Sequence, residues 1–143
     1  MSAIKTIKQK AIDLLARREH SRLELERKLL AKDFNLQEVS VVLDDLIAQN
    51  LQSDERFAES YIHSRSNKGF GPLKIAEELK QRGVNQTIYQ QFLDEQDWHQ
   101  LACQVRIKKF GKSLPSDFVL RAKQMNFLQY RGFAGEQIRA VMD

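Results

Sequence analysis

One cysteine stands in the 143 residues, Cys103, so no internal disulfide can form and a reducing compartment suits the chain. Two prolines and six glycines are too few to interrupt it often, which favours helices from the outset. No apolar run approaches the roughly 20 residues that a bilayer span requires. The opening Met1-Ser2-Ala3-Ile4-Lys5 lacks the apolar stretch and small-residue cleavage site of a secretory leader. A cytoplasmic protein without a membrane partner is expected. What is present is ordinary for a folded soluble chain: 42% hydrophobic and 29% charged residues, too apolar for general disorder. The length allows one compact domain or a row of small modules.

The net charge of +4 is unevenly spread. Residues 1–53 carry 9 basic and 8 acidic side chains, residues 54–97 carry 6 and 8, and residues 98–143 carry 8 and 3. A cationic C-terminal third favours a partner with an anionic surface, either nucleic acid or an acidic protein, although a solvated surface bias explains composition alone equally well.

Apolar residues recur at three- and four-residue spacing almost throughout. Examples are Ile4, Ile7, Ala11 and Leu14, then Val39, Val42, Leu43 and Leu46, then Phe118, Ala122, Met125 and Leu128. No alternating β-branched window competes, so the class is all-α. Ser21-Arg22-Leu23-Glu24 has the spacing of a capping box, and Asn35 with Glu38 repeats it. Gly71-Pro72 places proline at a first helical position, where its missing N–H costs nothing. Gly83 and Gly132 sit where helices should end in the left-handed conformation. Nine helices are predicted, near residues 4–19, 22–32, 36–50, 54–67, 72–82, 86–95, 97–110, 116–130 and 135–142.

The nine fall into three triplets. Shifting residues 21–34 by fifty positions brings Leu25 onto Ile75, Leu29 onto Leu79, Lys32 onto Arg82 and Phe34 onto Val84. A further shift of forty-nine sets Leu128, Arg131, Gly132 and Phe133 beneath Leu79, Arg82, Gly83 and Val84. Asp33 takes the glycine place in the first copy and tolerates the left-handed region better than most residues. Such a period means a three-helix unit used three times. The expected architecture is an elongated array of three tandem three-helix repeats, at 1–52, 53–96 and 97–143.

Catalytic chemistry finds little support. His20, His63 and His99 fall on separate predicted helices, which makes a metal site improbable. Cys103 lies in an apolar stripe and is expected as a small core residue rather than a nucleophile. Asp44-Asp45 suits an exposed acidic helix face better than a catalytic dyad. Gly69-Phe70-Gly71 lacks the frame and preceding strand of a phosphate loop. No cofactor is expected and the chain is not read as an enzyme.

Helix-turn-helix DNA reading is the obvious rival, since each triplet ends helix, turn, helix. The candidate recognition helices are electrostatically poor: residues 36–50 carry Glu38, Asp44 and Asp45 and no cation, and residues 86–95 carry Asp94 and Glu95 and no cation. The basic residues cluster instead at the ends of first helices and along second helices, which suits docking against an anionic surface.

One stretch is specific. Asp54, Phe57, Ala58 and Tyr61, then Arg65, Gly69, Gly71 and Pro72, then Glu78, Leu79, Arg82 and Gly83 match the central signature of the RecX family, D-x-x-F-A-x-x-Y, R-x-x-x-G-x-G-P and E-L-x-x-(K/R)-G. The flanks agree: Ala11, Leu15, Arg18, Ser21, Glu24, Leu25, Lys28 and Leu29 upstream, and Lys108-Lys109-Phe110 and Phe127-Leu128-Gln129-Tyr130-Arg131-Gly132-Phe133 downstream. The chain resembles that family over about residues 10–143. Without the name, Phe57 and Tyr61 are expected to pack on one helix face, and the Gly69-Phe70-Gly71 turn to hold Arg65 and Lys68 outward beside an exposed aromatic.

The resemblance implies a monomeric regulator that lies in the groove of the RecA–DNA filament, touching RecA and single- or double-stranded DNA within it. It implies restraint of RecA's ATPase, recombinase and coprotease activities. Three repeats of roughly 20 Å would give a rod of about 60 Å, long enough to touch neighbouring protomers. Arg65, Lys68, Lys74, Arg82, Arg106, Lys108, Lys109, Arg121 and Lys123 are the residues expected to face that filament. A helical DNA-binding protein acting without RecA is the alternative.

Overall fold

Capping chemistry and the 3.6-residue period set the helices of this protein, seen here in a computed structural model that describes residues 3–143. Met1 and Ser2, which open the first expected repeat, lie outside the described residues. Among these residues there are nine helices and no strand: α1 (Ala3–Arg17), α2 (Arg22–Leu30), α3 (Leu36–Ala48), α4 (Asp54–Asn67), α5 (Pro72–Gln81), α6 (Gln86–Asp94), α7 (Trp98–Phe110), α8 (Phe118–Tyr130) and α9 (Gly135–Met142).

The caps explain the boundaries. Ser21 accepts from the Glu24 amide at 3.1 Å while Glu24 accepts from the Ser21 amide at 3.1 Å, a complete capping box. Asn35 accepts from Gln37 and Glu38 to start α3. Asp117 accepts from Leu120, so α8 begins at Phe118 rather than near 116. Asp33 (φ 65°), Gly83 (φ 77°) and Gly132 (φ 97°) each turn left-handed just beyond α2, α5 and α8, the equivalent places in the three triplets. The first helix stops at Arg17, short of 19, so His20 belongs to a linker and not to a helix.

The helices pack as two compact units that do not follow the triplets. The first comprises the described residues up to Ser60 together with Leu79–Tyr89. Its core joins Ile7 and Ala11 of α1 to Leu25 and Leu29 of α2 and to Val39, Val42, Leu43 and Leu46 of α3, with Leu14, Leu15 and Phe34 against them. Each fully buried leucine or isoleucine there contributes about 2 kcal/mol of transfer free energy. Ser21 Oγ donates to the Arg82 carbonyl at 2.8 Å and Arg27 donates to the Gln81 carbonyl at 3.1 Å, so the α5 C-terminus is closed by α2 and its cap.

The second unit comprises Tyr61–Glu78 and Gln90–Asp143. Helices α7, α8 and α9 pack mutually in it, with Ala102, Leu128, Phe133, Ile138 and Met142 buried. Trp98 is buried and its indole N–H donates to the Leu93 carbonyl at 2.8 Å. The chain entering α5 is fastened to the turn after α8: Gly71 donates to the Arg131 carbonyl at 2.8 Å and Leu73 to the Gly132 carbonyl at 2.9 Å.

Candidate functional site

Within the second unit, the end of α4 meets α7 and α8 along a groove of about 410 Å³. Helix α4 closes through Lys68 and Phe70 amides donating to the Arg65 carbonyl, and the chain turns at Gly69 with φ +87°. That conformation favours glycine, while a Cβ at 69 would fit tightly, 3.0 Å from an Arg131 guanidinium nitrogen and 3.2 Å from Val105, with small side-chain shifts able to relieve it. The groove is lined by Lys68, Lys108, Lys109, Arg131, Phe127 and Val105, among others, and by no carboxylate. Lys108 and Lys109 stand in the last turn of α7, where the helix dipole favours cations. Among the described residues no ion pair engages Lys68, Lys108 or Lys109.

Arg131 organises this surface. Its guanidinium lies 5.0 Å from the Phe127 ring centroid and 5.2 Å from that of Phe70, and it donates to the Lys68 carbonyl at 3.2 Å. Lys109 Nζ lies 5.8 Å from the Phe127 ring, which meets Phe110 edge-on at 5.3 Å. Phe70 is half-buried, with Arg65 at 4.0 Å, Lys74 at 5.4 Å and Arg131 around it. Cations held by aromatic faces keep their charge while losing side-chain freedom, so the groove is an ordered positive surface suited to phosphate or carboxylate.

The nine residues expected to face a partner divide sharply. Lys68, Lys108 and Lys109 come together in the groove, and Lys74 stands beside it on Phe70. Lys123 is exposed on α8. Arg65 does not point outward beside an exposed aromatic: its Nε and a terminal nitrogen each donate at 2.9 Å to the two carboxylate oxygens of Glu78, which also accepts from Tyr61 at 2.9 Å. Arg106 does not face outward either. It is 4% exposed, donates to Gln124 Oε1 at 3.2 Å and to the Lys112 carbonyl at 3.0 Å, and its Nε has no partner. Arg121 donates to the Met142 carbonyl at 2.7 Å, closing α9, and to the Pro115 carbonyl at 3.3 Å. Arg82 belongs to the first unit and lies 3.7 Å from Glu24.

Other chemistry-bearing residues are placed as follows. Cys103 is half-buried rather than fully in the core, with Sγ 3.6 Å from His99 Nε2 one turn earlier on α7. Two such donors are too few for a metal, and among the described residues no group of three or more metal-ligating side chains forms. Asp44 pairs with Arg22 and Asp45 with Lys8, each at 2.8 Å, and both carboxylates lie at the surface of α3, Asp44 72% exposed, as expected of an exposed acidic helix face. The hydrogen bond from Lys8 holds the Asp45 carboxyl below its ordinary range. Arg131, Phe70 and Phe127 were read in the sequence as repeat, turn and motif residues and not among the nine expected to face a partner. The signal for Arg131 was its four-residue spacing from Phe127.

Fold and groove together define an all-helical protein of tandem three-helix units that presents a cationic, aromatic-braced surface. Among the described residues no helix is long and apolar enough to cross a membrane. The chain belongs to the RecX family. Family models match it as RecX first three-helix domain over 8–46, second over 53–93 and third over 95–142. It is 40% identical over 142 residues to the regulatory protein RecX of Halorhodospira halophila, covering 98% of this chain and 88% of that protein. It is 43% identical over 138 residues to the regulatory protein RecX of Pseudomonas entomophila, covering 95% and 89%. The crystal structure of RecX from Lactobacillus salivarius shares the fold with a TM-score of 0.81 at 22% identity, over 96% of this chain and 93% of that one.

Proposed function

We propose that this chain is a regulatory protein that binds the RecA–DNA filament in its groove and restrains RecA's ATPase, recombinase and coprotease activities. The observation that carries the reading is the groove of Lys68, Lys108, Lys109 and Arg131, positive, braced by Phe70 and Phe127 and free of lining carboxylates. Each lysine contact with an anion is weak alone. Several acting from one rigid surface on a repeating filament act together, because after the first contact the rest are intramolecular. A protein that binds the assembled filament holds it in the state it prefers, and a bound molecule across the growing end blocks addition of the next protomer.

Independent DNA reading by the triplets is the weaker alternative. Helix α3 carries Glu38, Asp44 and Asp45, and α6 carries no basic residue, so neither suits a groove lined with phosphates. RecA's single-strand-dependent ATP hydrolysis, measured with this protein well below RecA's concentration, separates the two. A strong substoichiometric fall supports filament binding. Unchanged hydrolysis beside salt-sensitive DNA binding by the protein alone overturns it.

A further inference from the structure

Gln100, Gln104 and Lys108 follow one another at four-residue spacing, so they form one stripe along α7. The stripe runs about 12 Å at ~1.5 Å per residue and changes from neutral amides to a cation toward the helix C-terminus. At its cationic end lies the groove described above, where Lys68, Lys108, Lys109 and Arg131 meet with no lining carboxylate. At its amide end a smaller hollow of about 190 Å³ adjoins the groove, and the two share Asn67, Leu101 and Gln104. Gln96 and Gln100 complete the polar wall of that hollow alongside Trp98. Its one carboxylate, Asp97, accepts from the Gln100 backbone amide at 3.0 Å as the cap of α7. Among the described residues no protein group bonds the side-chain amides of Asn67, Gln96, Gln100 or Gln104.

We propose that groove and hollow together bind a free nucleoside triphosphate, with its phosphates on the lysines and Arg131 and its base against the amides. A side-chain amide carries a donor and an acceptor side by side and matches the adenine edge, so ATP is the expected ligand. Charge density selects a free triphosphate over a strand. A triphosphate sets its charge on adjoining phosphorus atoms, which suits cations gathered in one groove, whereas a strand spaces its charges one to a nucleotide. Single strands also rely on aromatic stacking platforms. Both rings here are already covered: Arg131 and Lys109 lie over Phe127, and Arg65, Lys74 and Arg131 surround Phe70. The site shares its lysines with the filament surface proposed above, so ATP and filament exclude one another there, but it stands without that reading.

The test is isothermal titration calorimetry of the protein with ATP, inorganic tripolyphosphate and oligo-dA. The buffer is free of magnesium, since no carboxylate lines the groove to share a divalent ion. Wild type is compared with Lys108→Glu/Lys109→Glu and with Gln100→Ala/Gln104→Ala, and circular dichroism verifies folding. The lysine variant should lose about tenfold or more in affinity for both ATP and tripolyphosphate, each lysine being a charge-assisted contact. The glutamine variant should lose about threefold or more for ATP and nothing for tripolyphosphate. No ATP binding by wild type overturns the proposal. So does a glutamine variant that binds ATP as wild type does, which leaves an unselective anion surface. Oligo-dA that binds more tightly than ATP and weakens in both variants assigns the groove to a strand and overturns it too. RecA hydrolysis is read separately. ATP bound as expected beside uninhibited RecA supports this site and removes the proposed function, whereas inhibited RecA with no ATP bound removes this site alone.

Discussion

Gly71 and Gly132 meet backbone to backbone: a Cβ on Gly71 would lie 2.6 Å from the Gly132 carbonyl carbon and oxygen. The two flanking hydrogen bonds, from Gly71 to Arg131 and from Leu73 to Gly132, depend on that approach. Gly71→Ala should therefore destabilise the protein by roughly 2–3 kcal/mol, as overpacking against backbone does. Urea denaturation checks it, and an unchanged midpoint would show that the two turns separate freely.

The Arg65–Glu78 pair should matter to stability rather than to binding. Both side chains are mostly shielded, 22% and 19% exposed, and removing Arg65 takes two charge-assisted hydrogen bonds from a Glu78 carboxylate that keeps the Tyr61 hydroxyl. Arg65→Met should cost about 1–3 kcal/mol. Neutralising the partner as well, in Arg65→Met/Glu78→Gln, should recover part of that loss. A double variant no more stable than the single one, by equilibrium unfolding, would contradict the pairing.

Charge reversal in the groove should do the opposite. Lys108→Glu/Lys109→Glu should keep the fold and cost no more than about 1–2 kcal/mol, the unfavourable effect of two carboxylates at the α7 C-terminus. RecA ATPase inhibition should weaken strongly, and the salt dependence of filament binding should flatten. Undiminished inhibition would remove these lysines from the interface. By contrast, Arg106→Met should lower the melting temperature, because it frees the segment from Lys112 onward.

His20 supplies a pH dependence. It is 1% exposed; its Nδ1 faces the Arg18 carbonyl at 3.0 Å, so that nitrogen carries the hydrogen, and Nε2 accepts from the Lys28 ammonium at 2.9 Å. Burial, aided by the Arg18 and Lys28 charges and opposed by the Arg18 carbonyl, depresses its pKa below the ordinary 6.5. The unfolded chain thus takes up the proton first. The stability His20 contributes is complete above about pH 6.5 and is lost as pH falls from there to the depressed folded value. Melting temperatures should decline between about pH 7 and 5, and His20→Gln should reduce that slope. An identical slope in the variant would sink the assignment.

Helix number and most boundaries were legible because caps and periodicity are local: Ser21 with Glu24, Asn35 with Glu38, and the left-handed turns at Asp33, Gly83 and Gly132. The site was legible only in part. Lys108 and Lys109 read as a basic run and are one. Arg106 read as part of the same run, yet Trp98, Ala102 and Arg106 follow one another at four-residue spacing and share the buried face of α7. The same reasoning places Arg121, three and seven residues before buried Gln124 and Leu128, toward the interior. Charge counts weigh an arginine by its type, whereas helical phase decides where its guanidinium goes. Arg131 was read only as a repeat and motif position, because its second aromatic partner, Phe70, is supplied by a segment about sixty residues away, which spacing cannot reveal.

The mismatch between triplets and compact units bears on how such a chain can evolve. In a simple solenoid each module contacts only its neighbours, and copies are gained or lost as whole cassettes. Here Asp54–Ser60 and Leu79–Tyr89 complete one unit while Tyr61–Glu78 and Gln90–Asp94 complete the other. Excising the middle triplet would strip both units at once, and inserting another would leave each with the wrong complement. Removing residues 53–96 alone is therefore expected to unfold both units rather than leave two intact modules.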